Sequence, residues 1–365
     1  MHDWFQGYHG AERTVEAIRA GLFAPPNEPD IFTFQAAHEL LPPGLSCAIV
    51  RESRIARLPG IRQRGHDPGL WRYLVPVMPG YFRRLPLEPY DLVIATSHAF
   101  AVQARPRPDA AFLCYCFTPL RYAWLPQMDR RLPVLLRNRL RRLDLEASRR
   151  PDAYFAISTA VRDRIRRFYG RDAVVVHPPV DVDDLAPGRE KDPGRFLWVH
   201  RLVPYKRPDL VVEAFRNLPY RLTMVGVGPL EAELRRNLPP NVELLPWLPR
   251  EELARRYAES AAFLHVGEED FGISMVEALA AGTPVIALAA GGALDIVRDG
   301  VDGVLVDRPE PALVRDAVRR VAAERWDPAT LVARAREFSR ERFVRELRAH
   351  VENLLAAGSP RGAHR

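Results

Sequence analysis

Short apolar runs recur along this chain at a spacing that leaves room for a helix between neighbours: Leu92-Val-Ile-Ala95, Ala111-Phe-Leu-Cys114, Phe196-Leu-Trp-Val199, Leu222-Thr-Met-Val225 and Val285-Ile-Ala-Leu288. Runs without polar alternation are strands covered on both faces. The helical-period segments between them supply that cover, so the pattern dictates parallel α/β sheets. A chain of 365 residues is longer than one core usually serves, which implies two domains. Between Val182 and Gly194 the composition turns to Asp, Pro, Gly and Lys, placing a linker near 183–195. The expected domains are 1–187 and 195–338. A closing helix is expected over 339–357, where Phe343, Leu347, Val351 and Leu354 stand at helical spacing. At the other end, the ligand loop before the helix of Ala11 to Ala20 should follow a strand, yet only Met1 and His2 precede Asp3. The first strand is therefore expected to be missing, with the native start upstream.

Composition narrows the function. Apolar residues make up 47% and charged residues 27%, ordinary usage for a soluble globular chain. The net charge of +7 rests on arginine, since only Lys191 and Lys206 among the 53 basic residues are lysines. Lys206 is thereby singled out as a position that needs a compact ammonium. No recognition motif and no basic patch interleaved with aromatics is present, which argues against nucleic acid. The three cysteines, Cys47, Cys114 and Cys116, do not make a disulfide framework and point to a reducing compartment. Cys114 and Cys116 read as small buried side chains. Asp3 and Glu12 stand where a secretion signal would be basic and apolar, and Glu277, Pro284 and several glycines break the most apolar region, 271–297. A cytoplasmic chain follows, with membrane contact at most peripheral. The segment Arg131 to Arg150 sets Leu132, Leu135, Leu136, Leu140 and Leu143 on one side and Arg137, Arg141 and Arg142 elsewhere. It is expected to be a basic amphipathic helix packed on the first domain, with contact to anionic headgroups as its second reading.

The chemistry concentrates in Glu269-Asp-Phe-Gly-Ile-Ser-Met-Val-Glu277. In one continuous helix, residues eight apart lie roughly 12 Å apart along the axis, too far for one small ligand, so a loop must bring the two carboxylates together. Gly272 permits the turn. Ser274 with Glu277 reads as a capping box, which starts a helix at Ser274 with its free N–H groups aimed at the bend. Such an N-terminus attracts phosphate.

Together with His200-Arg-Leu-Val-Pro-Tyr-Lys-Arg207, similar to a Gly-Arg-Leu-x-x-x-Lys segment, this Glu-x7-Glu stretch resembles family 4 of the retaining glycosyltransferases. Weaker support comes from Gly7-Tyr-His-Gly-Ala-Glu12, Cys114 to Trp124, Val225-Gly-Val-Gly-Pro229 and Gly291-Gly-Ala-Leu-Asp295. The resemblance covers nearly the whole chain. It implies the GT-B fold, two Rossmann-like domains with parallel sheets facing across a cleft, and transfer of a hexose from a nucleoside diphosphate sugar. It further implies Arg201, Lys206 and Glu269 as catalytic residues. Gly10, Phe271, Gly272, Ile273 and Glu277 would bind the donor, Glu277 through the ribose hydroxyls. The subgroup it resembles points to mannose from GDP-mannose, with UDP-sugars open, and to a polyprenol-linked saccharide acceptor. No cofactor is implied, and Asp181-Val-Asp183 is discounted as a metal triad because it lies at the linker. Three positions remain as further candidates. His9 replaces the first glycine of the family's Gly-Gly turn, Phe117 stands where related sequences carry histidine, and His98 is the residue that could compensate for it. Because phenylalanine cannot do a histidine's work, a non-catalytic sugar-nucleotide binder is the rival reading.

Overall fold

The computed structural model describes residues 1–23, 27–61, 70–125, 133–185 and 190–356. They divide into two compact units. One comprises Met1–Pro179 together with the chain from Phe343 onward, and the other Val180–Arg342. The division precedes the linker expected at 183–195, because Val180 already belongs to the second unit: its N–H donates to the Phe338 carbonyl at 3.0 Å. The strand of the Phe196–Val199 run also starts early, at Asp192.

In the first unit, β1 (Ile31–Phe32) pairs with β2 (Ile49–Arg51), and β3 (Leu92–Ser97), β4 (Ala111–Cys116), β5 (Ala153–Ala156) and β6 (Val174–Val175) form a second parallel ladder in that order. The expectation of a missing first strand is corrected here. His2 bridges in parallel to both Thr33 and Thr96, and Phe5 to Ala36, so residues 1–5 fill the slot between the two ladders. The backbone shows it directly: His2 N–H donates to Phe32 and Thr96 N–H to Met1, each at 2.9 Å. The chain then turns into α1 (Gly10–Leu22), which lays Val15, Ile18 and Leu22 on the core.

The basic segment folds as α2 (Val134–Ser148); Arg131 and Leu132 lie outside the described residues. Its buried residues are Leu140, Asp144, Ala147 and Ser148, whereas Leu135 is 86% exposed. The apolar stripe expected through Leu135 is thus displaced toward Asp144. Arg141 turns inward, donating to the Ala123 carbonyl at 2.8 Å and lying over the Trp124 ring. Cys114 and Cys116 are buried in β4 as free thiols.

The second unit is a six-stranded parallel sheet made of β7 (Asp192–Val199), β8 (Arg221–Val225), β9 (Val242–Leu245), β10 (Ser260–His265), β11 (Val285–Leu288) and β12 (Gly303–Val306). Their order is β12-β11-β10-β7-β8-β9, so the direction of winding reverses between β7 and β10. Helices α3 (Pro208–Phe215), α4 (Arg250–Glu259) and α5 (Ile273–Ala280) lie between successive strands, and α6 (Pro311–Ala323) follows β12. One core runs through Phe196, Trp198, Val211, Phe215, Leu264, Ile286 and Val318. The last helix, α7 (Arg340–Ala356), returns the chain to the first unit, where Phe343 packs on Tyr115 at 5.7 Å between ring centres. Among the described residues no helix is long and apolar enough to cross a membrane.

Asp144 gives the first unit a pH signature. Trp124 Nε1–H and the Tyr169 hydroxyl both donate to its Oδ2 at 2.7 Å, but burial dominates and pushes the carboxyl up to about 7. Between an ordinary carboxylate pKa of about 4 and that value, the folded state holds a proton that the unfolded state has lost. Stability should therefore fall as pH rises through this window, by up to about 1.4 kcal/mol per pH unit. Asp144→Asn should flatten this slope, as read by urea denaturation across the same range.

Candidate functional site

Where the strand order of an open parallel sheet reverses, the loops leaving the two strands diverge and open a crevice at their carboxyl ends. In the second unit those strands are β7 and β10. Each is followed by, or ends in, a histidine: His200 directly after Val199, and His265 as the last residue of β10. Their rings meet edge to face at 4.7 Å. Both are buried, and desolvation first, then the positive charge of Lys206, holds both well below the ordinary histidine pKa. They are neutral rings.

Lys206 closes this cluster. The turn Pro204–Lys206 carries its side chain inward, leaving the residue 8% exposed. Its ammonium pairs with Glu269 and stands 3.4 Å from His200 Nδ1. The second carboxylate oxygen of Glu269 faces His265 Nε2 at 3.5 Å. Two of the three expected catalytic residues are thus in contact. Arg201 lies in the same loop with an exposed side chain that makes no ion pair among the described residues. The Glu269 loop is held by close backbone packing. A Cβ on Gly291, whose φ is +62°, would stand 2.1 Å from the Glu269 carbonyl oxygen, and one on Gly267 2.5 Å from that of Tyr205.

Phe271 is buried against Phe338, and Gly272 has φ +107° and serves as the N-cap of α5. The helix therefore begins at Ile273, and the expected capping box from Ser274 to Glu277 is not formed. Its physical reason is the partner that Glu277 finds instead. Arg250 Nη1 donates to Glu277 Oε1 at 2.9 Å and the Tyr257 hydroxyl lies 3.3 Å from Oε2. Both partners come from α4. Asp181 likewise has a structural role, facing Arg340 at 3.8 Å and offering its carbonyl to Arg250.

The remaining candidates belong to the first unit. His9 is the exposed N-cap of α1, its backbone N–H donating to Glu12 Oε2 at 3.0 Å, and Gly10 is the first helical residue. His98 follows β3, and its ring packs on Trp4 at 4.5 Å and on Phe117 at 6.2 Å. The turn it opens is fixed by Asp3, whose carboxylate accepts the N–H groups of His98, Ala99, Phe100 and Ala101 at 2.5–2.8 Å.

Two family models match end to end: Glycosyltransferase Family 4 over residues 8–184 and Glycosyl transferases group 1 over residues 182–340. This chain is built of glycosyltransferase family 4 and group 1 domains. Among relatives, a D-inositol 3-phosphate glycosyltransferase of Mycobacterium sp. (strain JLS) is 37% identical over 155 residues, 36% of this chain and 35% of that one. The same-named protein of Geodermatophilus obscurus is 35% identical over 185 residues, covering 40% and 39%. The matches thus span little more than a third of these relatives' length. Among solved structures, sucrose-phosphate synthase from Thermosynechococcus elongatus superimposes with a TM-score of 0.72 at 20% identity, over 98% of this chain and 99% of that one. Anabaena HepE in complex with UDP does so with 0.69 at 18%, over the same shares. The fold is GT-B, two Rossmann-like domains with parallel sheets.

In this family 4 and group 1 chain, four residues of the cluster escaped the sequence reading. His200 occupies the glycine position of the matched segment, so the pattern drew the eye past it. His265 ends an apolar strand four residues before Glu269, a placement the sequence does display. Arg250 and Tyr257 gave no local signal. Because Glu277 is 9% exposed, removing its guanidinium partner leaves a buried charge half satisfied. Arg250→Ala should destabilise the second unit by about 1–3 kcal/mol, measured by denaturant unfolding, and Glu277→Gln in the same background should recover part of the loss.

Proposed function

We propose that this chain is a retaining hexosyltransferase that draws its sugar from a nucleoside diphosphate donor bound mainly by the second unit. The observation that carries the reading is the pairing of Lys206 with Glu269 at the switch point between β7 and β10. When the donor diphosphate arrives, the ammonium and the exposed Arg201 can meet the charge that grows on the leaving group, a task that cations aimed at that position perform without a metal. Glu269 places the donor sugar. Glu277, held by Arg250 and Tyr257, receives the ribose hydroxyls, and the backbone at Phe271, Gly272 and Ile273, where α5 starts, serves the sugar and phosphates. Gly10 and His9 stand at the start of α1 for the same donor.

The sequence context around Tyr115 to Trp124 and Glu268 to Gly272 favours GDP-mannose. HepE was solved with UDP and with UDP-glucose, which supports UDP as the second base to test. A polyprenol-linked saccharide is the favoured acceptor, reached from the inner face of the plasma membrane through peripheral contact of α2. The relatives' names support an inositol phosphate as the second. A second reading, a donor binder without turnover, is favoured by Phe117, whose ring sits among His2, His98 and Tyr115 where related sequences carry histidine.

Thermal unfolding with a panel of GDP, UDP, ADP and their sugar conjugates tests the donor site. One base should stabilise the chain selectively, by about 2.7 kcal/mol at a hundredfold excess over Kd, and Lys206→Ala and Glu277→Ala should each abolish the shift. Absence of any shift would overturn the reading. Transfer should proceed unchanged in a chelator, and restoration by magnesium or manganese of activity lost to a chelator would overturn metal independence. Phe117→His should raise turnover. Donor binding with no transfer or hydrolysis in either protein would select the second reading.

A further inference from the structure

His200, His265 and Glu269 each offer a donor atom, and the three atoms lie within 4.8 Å of one another. Both ring nitrogens of His265, on a side chain 1% exposed, make no hydrogen bond among the described residues. A buried imidazole with neither nitrogen satisfied is unusual, because desolvation of each polar atom goes uncompensated. Two imidazoles and a carboxylate are a donor set that suits ions of the zinc class better than magnesium or calcium, and three protein ligands leave a coordination position open. Tetrahedral ligands at about 2.0–2.2 Å from an ion sit roughly 3.4 Å apart, so the cluster has to contract. The Glu269 backbone is held by its packing, but its side chain is 20% exposed and can contract the cluster by rotating. The obstacle is Lys206, whose ammonium already pairs with Glu269 and stands beside His200.

We propose that His200, His265 and Glu269 form a binding site for a zinc-class divalent cation, filled when the Lys206 side chain withdraws, and that an ion bound there blocks the donor. Cation and ammonium compete for one carboxylate. An ion in the cluster takes Glu269 away from its catalytic partner and sets a second positive centre where Lys206 would return. The site stands on side-chain geometry alone. Only the blocking role rests on the donor reading given above.

Cobalt(II) alone, titrated into the full chain, tests it by visible ligand-field absorption. The expected result is a saturable spectrum without the thiolate charge-transfer band that Cys47, Cys114 or Cys116 would produce, displaced by zinc. Glu269→Gln and His265→Asn should each weaken cobalt binding by at least about tenfold. Lys206→Met should strengthen it by about tenfold, because the competing ammonium is gone. This gain keeps the test informative should His265→Asn fail to fold. The nucleotide that stabilises the wild type should weaken cobalt binding in turn. No saturable spectrum in either the wild type or Lys206→Met, or equal affinity in Glu269→Gln, overturns the site. Cobalt binding indifferent to that nucleotide overturns the blocking role. A nucleotide panel without any shift beside an intact cobalt titration would instead overturn the donor reading.

Discussion

A lysine ammonium enclosed by one carboxylate and two neutral imidazoles is the interaction on which the second unit turns. Withdrawing an ammonium from water costs several kcal/mol unless a counter-charge meets it. Lys206 is 8% exposed, so Glu269 must stand where it does. That demand propagates into the backbone. The loop between β10 and α5 has to lie flat on its neighbours, and Gly267 and Gly291 stand where any side chain would meet a carbonyl oxygen. The two histidines add no charge of their own, since burial beside an ammonium keeps them neutral. The result is a polar centre whose charges balance before any ligand arrives.

The second carboxylate is balanced separately. Glu277 draws Arg250 and Tyr257 from α4, which lies before β10 in the chain, while Glu269 draws Lys206 from the loop after β7. Two acids eight residues apart are thereby assigned to different partners by the order of strands. On the proposed reading this matters for the donor. A diphosphate approaching two unpaired carboxylates would be repelled, whereas each acid here comes with its own cation.

How much of this could be read beforehand depended on the range of the interactions. The apolar runs at 92–95, 111–114, 196–199, 222–225 and 285–288 all lie in strands, because a strand covered on both faces must be apolar along its length. The break at Gly272 was equally local, a single positive φ. The capping box failed because its evidence was local while its competitor was not. Arg250 lies 27 residues from Glu277 in sequence, and only the sheet order brings them together. The same holds at the start of the chain, where residues 1–5 looked too short for a strand. Their pairing comes from Thr33 on one side and Thr96 on the other, long-range partners that make a slot for even a few residues.

The two units differ in what satisfies the turns that follow their strands, and on the proposed reading that difference bears on where the donor's charge can go. In the first unit, the N–H groups opening the turn after β3 form a cradle suited to an anion, but Asp3 fills it with four hydrogen bonds. The carboxylate is internal to the fold, 0% exposed, so this cradle is closed to a phosphate. Around it stand rings, those of His2, Trp4, His98 and Phe117. The second unit presents an ammonium paired with the acid Glu269, together with the exposed Arg201 in the same loop as the lysine. An incoming diphosphate can compete for those cations, whereas nothing in the first unit's cradle can be displaced without unfolding the turn. On the proposed reading, the charged half of the donor therefore belongs to the second unit, where cations can exchange one anion for another.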